Sequence, residues 1–275
     1  MNLQTKVALN NDVEIPWLGL GVFKSEPGKT TEQAVRWALE IGYRHIDTAA
    51  FYANEEDVGR AVKDSGIDRE EIFITTKVWN ADQGFESALR AFEVSRKKLQ
   101  MDVVDLYLVH WPVKNKSLDT WKALEKLYAD GKVRAIGVSN FLVHHLEEIL
   151  GNSDVVPAAN QVEFHPFLLQ KELLDFDAKH NIRHEAWSPL TRAQRLDHPI
   201  ITEIARKYDH TSAQVLLRWD LQLGVVTIPK SVHRDRIEEN SRVFDFELAE
   251  DDMEKLNALD EGRRIGPDPE TFGYQ

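Results

Sequence analysis

The chain has no cysteine, which removes disulfides, thiolate nucleophiles and cysteine-ligated zinc together. It has no run approaching about eighteen consecutive apolar residues, and its start, "MNLQTKVALNND", carries no apolar signal-like core. A soluble, cytoplasmic protein is the expectation. Basic residues are the minority: 34 Lys and Arg stand against 46 Asp and Glu, a formal net charge of −12. Such a field repels nucleic-acid duplexes and anionic membranes, so neither is expected as a partner. An anionic ligand has to be held by a local cluster of cations. No linker rich in Pro, Gly or Ser and no block of like charge interrupts the chain, so residues 1–275 are read as one domain.

Apolar residues make up 42% of the chain and include seven Trp, enough for a sizeable core. Short β-branched stretches alternate with amphipathic ones: "EIPWLGLG" precedes "TTEQAVRWALEIG", "YRHIDT" precedes "NEEDVGRAVKDS", and "IFITTKVW" precedes "FESALRAFEVSRKKLQ". The same alternation continues through "VVDLYLVHW", "VRAIGVSN", "AANQVEF", "IRHEAWSPL" and "VVTIPKSV". In the third amphipathic stretch Ala88, Ala91, Phe92, Ser95 and Leu99 share one face. Eight alternations at a spacing of roughly 25–40 residues predict an α/β fold, a closed (β/α)8 TIM barrel rather than an open doubly wound sheet. "KVALNNDVEI" reads as an N-terminal β-hairpin turning at Asn10–Asn11–Asp12. "SAQVLLRWDLQLG" and "AEDDMEKLNALD" read as extra helices near the C-terminus.

In a barrel, chemistry belongs at the C-terminal ends of the strands. There the second strand ends in Asp47, the third in Lys77 and the fourth in His110. A buried lone lysine or aspartate is costly, so Asp47 and Lys77 are expected to pair. That pair could be purely structural, and "YANEED" could be only a helix start capped by Asn54. Tyr52 is explained by neither. The fifth strand ends at Ser139–Asn140, the sixth carries Gln161, and the seventh ends at Trp187–Ser188, a set suited to a planar carboxamide and its ring. After the eighth strand Lys230, Ser231 and Arg236, with Glu239 and Asn240, lie at a helix start, which suits a phosphate or only a solvated helix.

"DTAAFYANEEDVG", "MDVVDLYLVHWP" and "IPKSVHRDRIEEN", with "GVSNF", "NQVEFHP" and "EAWSPL" in order between them, resemble the motifs of the aldo-keto reductases. The resemblance runs from about residue 6 to about residue 270 and is nearest to the bacterial branch that includes glyoxal and 2,5-diketogluconate reductases. It implies a catalytic tetrad of Asp47, Tyr52, Lys77 and His110. It also implies NADPH as cofactor, held through Ser139, Asn140, Gln161 and Trp187 at the nicotinamide and Ser188 and Leu190 near the pyrophosphate. Lys230, Ser231, Val232 and Arg236 would surround the 2′-phosphate, with Glu239 and Asn240 near the adenine. No metal is implied, and a monomer is the family's commonest form. Substrate walls would come from Phe23 (or Trp17), Phe51, Trp79 and Trp111. Short loops suggest a permissive pocket for small aldehydes, α-dicarbonyls or keto-sugars.

The implied reaction is hydride transfer to a carbonyl, with Tyr52 as proton donor and neutral His110 orienting the oxygen. Lys77 is expected to lower the phenol's pKa from its usual value of about 10. Two alternatives remain open at this level: an NADPH-binding module with little catalysis, and a Schiff-base aldolase acting through Lys77. Two positions depart from the family pattern: His184 is polar where an apolar residue is usual, and Ala193 stands where glycine is frequent. Arg192 beside it reaches either the pyrophosphate or solvent.

Overall fold

The computed structural model describes residues 1–272. Its first two strands, β1 (Lys6–Ala8) and β2 (Glu14–Pro16), pair antiparallel with Val7 opposite Ile15. Asp12 takes a left-handed φ of 64° in the turn between them, and Leu9 N–H donates to Val13 O at 2.8 Å. This is the expected hairpin.

Eight parallel strands follow in sequence order: β3 (Leu20–Gly21), β4 (His45–Asp47), β5 (Phe73–Val78), β6 (Val104–Val109), β7 (Val133–Ser139), β8 (Ala159–Glu163), β9 (Arg183–Trp187) and β10 (Val226–Thr227). The two edges of this sheet meet. Gly19 N–H donates to Thr227 O at 2.9 Å, Thr227 N–H to Trp17 O at 3.0 Å, and Gly21 N–H to Pro229 O at 3.1 Å. That seam closes the sheet into the expected barrel. One expectation needs correction: "EIPWLGLG" is not one strand. Glu14–Pro16 pairs with Lys6–Ala8 in the hairpin, and the stretch after Pro16 turns to the barrel, where Trp17 O accepts from Thr227 N–H and Leu20–Gly21 forms β3. At Gly19 the seam leaves no room for a side chain, because an added Cβ would stand 2.5 Å from His45 Nδ1.

Around the strands lie α1 (Lys29–Ile41), α2 (Glu55–Lys63), α3 (Phe85–Leu99), α4 (Ser117–Ala129), α5 (Val143–Leu150), α6 (Lys171–Lys179), α7 (Pro199–Tyr208), α8 (Ser212–Gln222), α9 (Arg234–Ser241), α10 (Glu250–Asn257) and the short α11 (Pro269–Phe272). α8 and α10 are the extra helices expected from the sequence, whereas α11 lies in what reads only as a short tail. On α3, Ala88, Phe92, Ser95 and Leu99 are buried, and Ala91 is the half-buried margin of the same stripe. His184 points outward from β9 to α6, where its Nδ1 lies 2.7 Å from Asp177 Oδ2. Asn160 Nδ2 is 3.4 Å from the same oxygen, so this buried imidazole is paired through Nδ1 with a carboxylate held away from the barrel mouth.

The hairpin covers the end where the strands begin. Asn10 Nδ2 donates to Pro157 O at 3.0 Å, and Asn11 Nδ2 to Arg134 O at 2.9 Å. The cavity lies at the other end. No helix among the described residues is long and apolar enough to cross a membrane.

Candidate active site

Adjacent parallel strands bring Asp47 and Lys77 together, as the need for a buried counter-charge predicts. Lys77 is fully buried. Its Nζ donates to Asp47 Oδ1 and Oδ2 at 2.8 and 2.7 Å, to Thr48 O at 2.9 Å and to Tyr52 Oη at 3.5 Å. Gln161 Nε2 adds a further bond to Asp47 Oδ2 at 2.8 Å. Both partners of Asp47, Lys77 and Gln161, donate, so the ionised carboxylate fits the geometry. Burial opposes the charge on Lys77, but Asp47, joined by Tyr52 and Glu185, more than offsets this and holds the ammonium above its ordinary pKa.

Tyr52 ends the short helical turn Ala50–Tyr52 that follows β4. Its ring lies 5.0 Å from that of Phe23 and edge-on to His110 at 5.7 Å. Because Lys77 donates to Oη, the phenol's own proton is free to point into the cavity. The expected fall in its pKa is not what the surroundings produce. Burial pushes the phenol up to about 12, and Lys77, already neutralised by Asp47, offsets only part of that. Burial and the Lys77 charge both push the His110 imidazole well below its ordinary value, so it is neutral at pH 7.

Asn54 precedes α2, but its side chain makes no cap bond. Its Oδ1 accepts from Thr48 Oγ1 at 2.8 Å, and its Nδ2 donates to Val22 O at 3.0 Å. The asparagine therefore ties the Tyr52 turn to the loop after β3 instead of capping the helix. The acidic first turn of α2 does suit the helix dipole.

Asp47, Tyr52 and His110 line a cavity of about 760 Å³. The residues singled out for a nicotinamide are wired to one another and to this group. Trp187 Nε1 donates to Asn140 Oδ1 at 2.8 Å, Asn140 Nδ2 to His110 O at 2.9 Å, and Ser139 Oγ to Gln161 O at 2.7 Å. Ser188 and Leu190 line the same cavity, as do Lys230, Ser231, Arg236, Glu239 and Asn240. Val232 does not line it; its side chain packs half-buried against the core. Among the described residues neither Lys230 nor Arg236 forms an ion pair. Lys230 is solvent-exposed, yet partial desolvation at the cavity wall lowers its pKa, the direction expected of a cation lacking a counter-charge. The donor set thus fits a phosphorylated dinucleotide: an indole and amides at one end, unpaired cations at the other.

Phe23, Phe51, Trp79 and Trp111 form the aromatic mouth, with Phe51 and Trp79 stacked at 3.9 Å. Trp17 lies outside it, beneath the Arg183 guanidinium at 5.4 Å. Arg192 lines the cavity and remains exposed, 3.4 Å from Ser188 Oγ. Ala193 has φ 62°, the left-handed region in which glycine is easier, which accounts for glycine at that place in the family pattern. Lys24, Ala213, Pro267 and Phe272 also line the cavity, although the sequence reading does not anticipate them. For Phe272 the available signal is an aromatic residue in a polar, proline-containing tail.

Behind this group, Glu185 on β9 is fully buried, and among the described residues neither of its carboxyl oxygens has a hydrogen-bond partner. His45 Nε2 is 3.8 Å from its Oε1, and Asp47, Lys77 and Gln161 face it from β4, β5 and β8. Burial, reinforced by Asp47, raises its pKa to about 8. A folded-state pKa above the unfolded value of about 4.3 gives stability that is complete below pH ~4.3 and is lost as pH rises through the folded value. Glu185→Gln is therefore expected to match the parent in thermal midpoint at pH 4.5. At pH 8.5 it should melt several degrees higher, about 2 kcal/mol or more. Melting curves at the two pH values check this; an equal shift at both would contradict it.

Comparison with known proteins agrees with this geometry. Residues 18–261 match the model of the aldo/keto reductase family. The chain is 58% identical over 271 residues to the glyoxal reductase of Bacillus subtilis (strain 168), covering 98% of each protein. It superposes with a TM-score of 0.95 on MGS-M4, an aldo-keto reductase from a deep-sea metagenome, at 48% identity and covering 98% of this chain and 100% of that one. A mutant of Gox0644 crystallised in complex with NADPH gives a TM-score of 0.93 at 45% identity, covering 98% of each chain. The family match spans most of the barrel, and with the near-complete coverage of these relatives it establishes that the chain belongs to the aldo/keto reductase family.

Proposed function

We propose that this protein reduces small aldehydes, α-dicarbonyls or keto-sugars to alcohols with NADPH, and that Tyr52 delivers the proton. One observation carries the reading: a neutral phenol, backed by a buried ammonium, shares a single cavity with two unpaired cations. Bound NADPH supplies a hydride to the carbonyl carbon. Lys230, Ser231 and Arg236 would hold its 2′-phosphate, with backbone near Val232 and with Glu239 and Asn240 toward the adenine. Ser188 and Leu190 would flank the pyrophosphate, Asn140, Ser139 and Gln161 the carboxamide, and Trp187 the ring.

Neutral His110 can donate to the carbonyl oxygen and orient it without adding a competing acid. Tyr52 stays protonated across neutral pH, so the acid form is fully populated when negative charge develops on the substrate oxygen. Lys77 then stabilises the phenolate left behind, and Asp47 with Gln161 keeps Lys77 in place. The similarity to a glyoxal reductase favours dicarbonyls within the substrate class, and Phe23, Trp79 and Trp111 give them an apolar frame. A monomer is the proposed state. The cytoplasm is the proposed setting.

A Schiff-base role for Lys77 fits poorly. Its ammonium is fully enclosed, donates to three oxygen-bearing groups and is held charged, whereas an amine nucleophile needs a free lone pair. Consumption of NADPH across glyoxal, methylglyoxal, short aldehydes and keto-sugars tests the proposal; binding of NADPH with no turnover would favour a binding module. NADPH should be preferred to NADH by about tenfold or more, because the 2′-phosphate brings roughly two charges to Lys230 and Arg236. Arg236→Ala should bring the two cofactors close to parity, and equal affinity in the parent would refute the assignment.

A further inference from the structure

Glu163, on β8, is fully buried at the strand end and plays no part in the chemistry above. Its carboxylate reaches the C-terminal segment. Ile265 N–H donates to Oε1 at 2.6 Å, and Gly266 N–H lies 3.0 Å from Oε2 and 3.2 Å from Oε1. Further bonds run between the same two segments. Gln170 Nε2 donates to Glu163 O at 2.7 Å, Arg264 Nη2 to Gln170 Oε1 at 2.9 Å, and Arg263 N–H to Phe167 O at 3.1 Å.

The segment so held lies against the cofactor platform. A Cβ added to Gly266 would come within 2.3 Å of Trp187 Cη2, so the glycine backbone packs directly on the indole's outer edge. Trp187 is therefore clamped at both ends, by Asn140 at its Nε1 and by Gly266 at its six-membered ring. Beyond Gly266 the chain contributes Pro267 to the cavity wall and places Phe272 4.5 Å from Trp111 and 6.3 Å from Trp79.

We propose that Glu163 is a positioning residue for carbonyl reduction: by holding the Ile265 and Gly266 amides it seats a C-terminal strap that braces Trp187 and sets the Phe272 wall of the substrate mouth. The proposal rests on the functional reading above. One buried carboxylate thereby links the cofactor platform to the size of substrate accepted. Loosening it would disturb the aromatic wall and the nicotinamide platform together, because the strap that touches both is held at those two amides.

Two substitutions attack the latch from opposite sides. Glu163→Gln keeps the size but replaces one acceptor oxygen by an NH2 that faces the Gly266 N–H, donor against donor. Gly266→Ala leaves the carboxylate intact and drives a methyl into the indole. NADPH titration, followed by tryptophan quenching, should show about threefold to thirtyfold weaker binding in both, the range expected when buried hydrogen-bond donors lose their acceptor. The KM for an aryl glyoxal should rise about tenfold while that for glyoxal changes by less than about threefold, since Phe272 touches only the larger substrate. A third variant, deleting residues 267–275, retains the latch; it should keep NADPH affinity and lose the aryl preference. A purely structural role predicts fewer active molecules with unchanged Kd and an unchanged aryl-to-glyoxal KM ratio, and that result overturns the proposal. Should Glu163→Gln not fold, Gly266→Ala and the deletion decide by the same readouts. A parent that binds NADPH but turns over none of these carbonyls defeats the functional reading instead, and the titrations still judge the strap.

Discussion

Tyr52→Phe is expected to lower carbonyl reduction by ~10²–10⁴, roughly 3–5.5 kcal/mol of barrier, while leaving NADPH affinity unchanged. The fold should tolerate the change. The ring keeps its place 5.0 Å from Phe23, and the hydroxyl gives up only a long, 3.5 Å bond from Lys77. No neighbour can take over as acid. His110 is held neutral well below its ordinary pKa, and Lys77 is committed to Asp47 and the Thr48 carbonyl. Steady-state rates with glyoxal, alongside NADPH titration of the same variant, check this. Turnover within about threefold of the parent would remove Tyr52 from the role of proton donor.

The second large effect concerns the buried pair itself. Lys77→Met leaves Asp47 charged in the barrel with one amide donor, Gln161, in place of an ammonium. Breaking such a pair from one side typically costs about 3–5 kcal/mol, so the thermal midpoint should fall by roughly 6–20 °C. Asp47→Asn strands Lys77 in the same way. Combining the two removes both charges, and the double variant should be clearly more stable than the sum of the singles implies. Activity should be lost in all three, because the phenolate of Tyr52 then has no cation beside it. Additive destabilisation in the double variant would mean that the two charges do not depend on each other for burial.

Much of this site can be read along the chain because barrel geometry repeats. Asp47, Lys77 and His110 each stand at or next to the C-terminal end of a strand, and barrel geometry gathers such ends at one side of the sheet. The features that escape such reading depend on contacts between distant segments. Asn54 looks like a cap because caps are local, yet its partners are Thr48 and the carbonyl of Val22, 32 residues away. The phenol's upward pKa reflects how completely Tyr52 is enclosed, and enclosure is a property of the folded chain. Phe272 enters the mouth from a tail with little apolar pattern, brought there by backbone amides on Glu163. His184 breaks the strand's pattern only until Asp177 on α6 is placed opposite it.

The seam between Gly19–Gly21 and Thr227–Lys230 also sets a schedule for biosynthesis. Its two sides are about two hundred residues apart, so their pairing carries the largest loop-closure entropy of any in the sheet. A nascent chain can align β4 with β5 early, yet it has no closed interior until the strand at Val226 has left the ribosome. Until then Asp47 and Lys77 remain hydrated, and their desolvation is deferred to the last closing event. A truncated product lacking its final fifty residues would therefore be missing more than a cofactor anchor. It would hold Asp47 and Lys77 in water, as an open sheet with two unpaired edges exposed to aggregation.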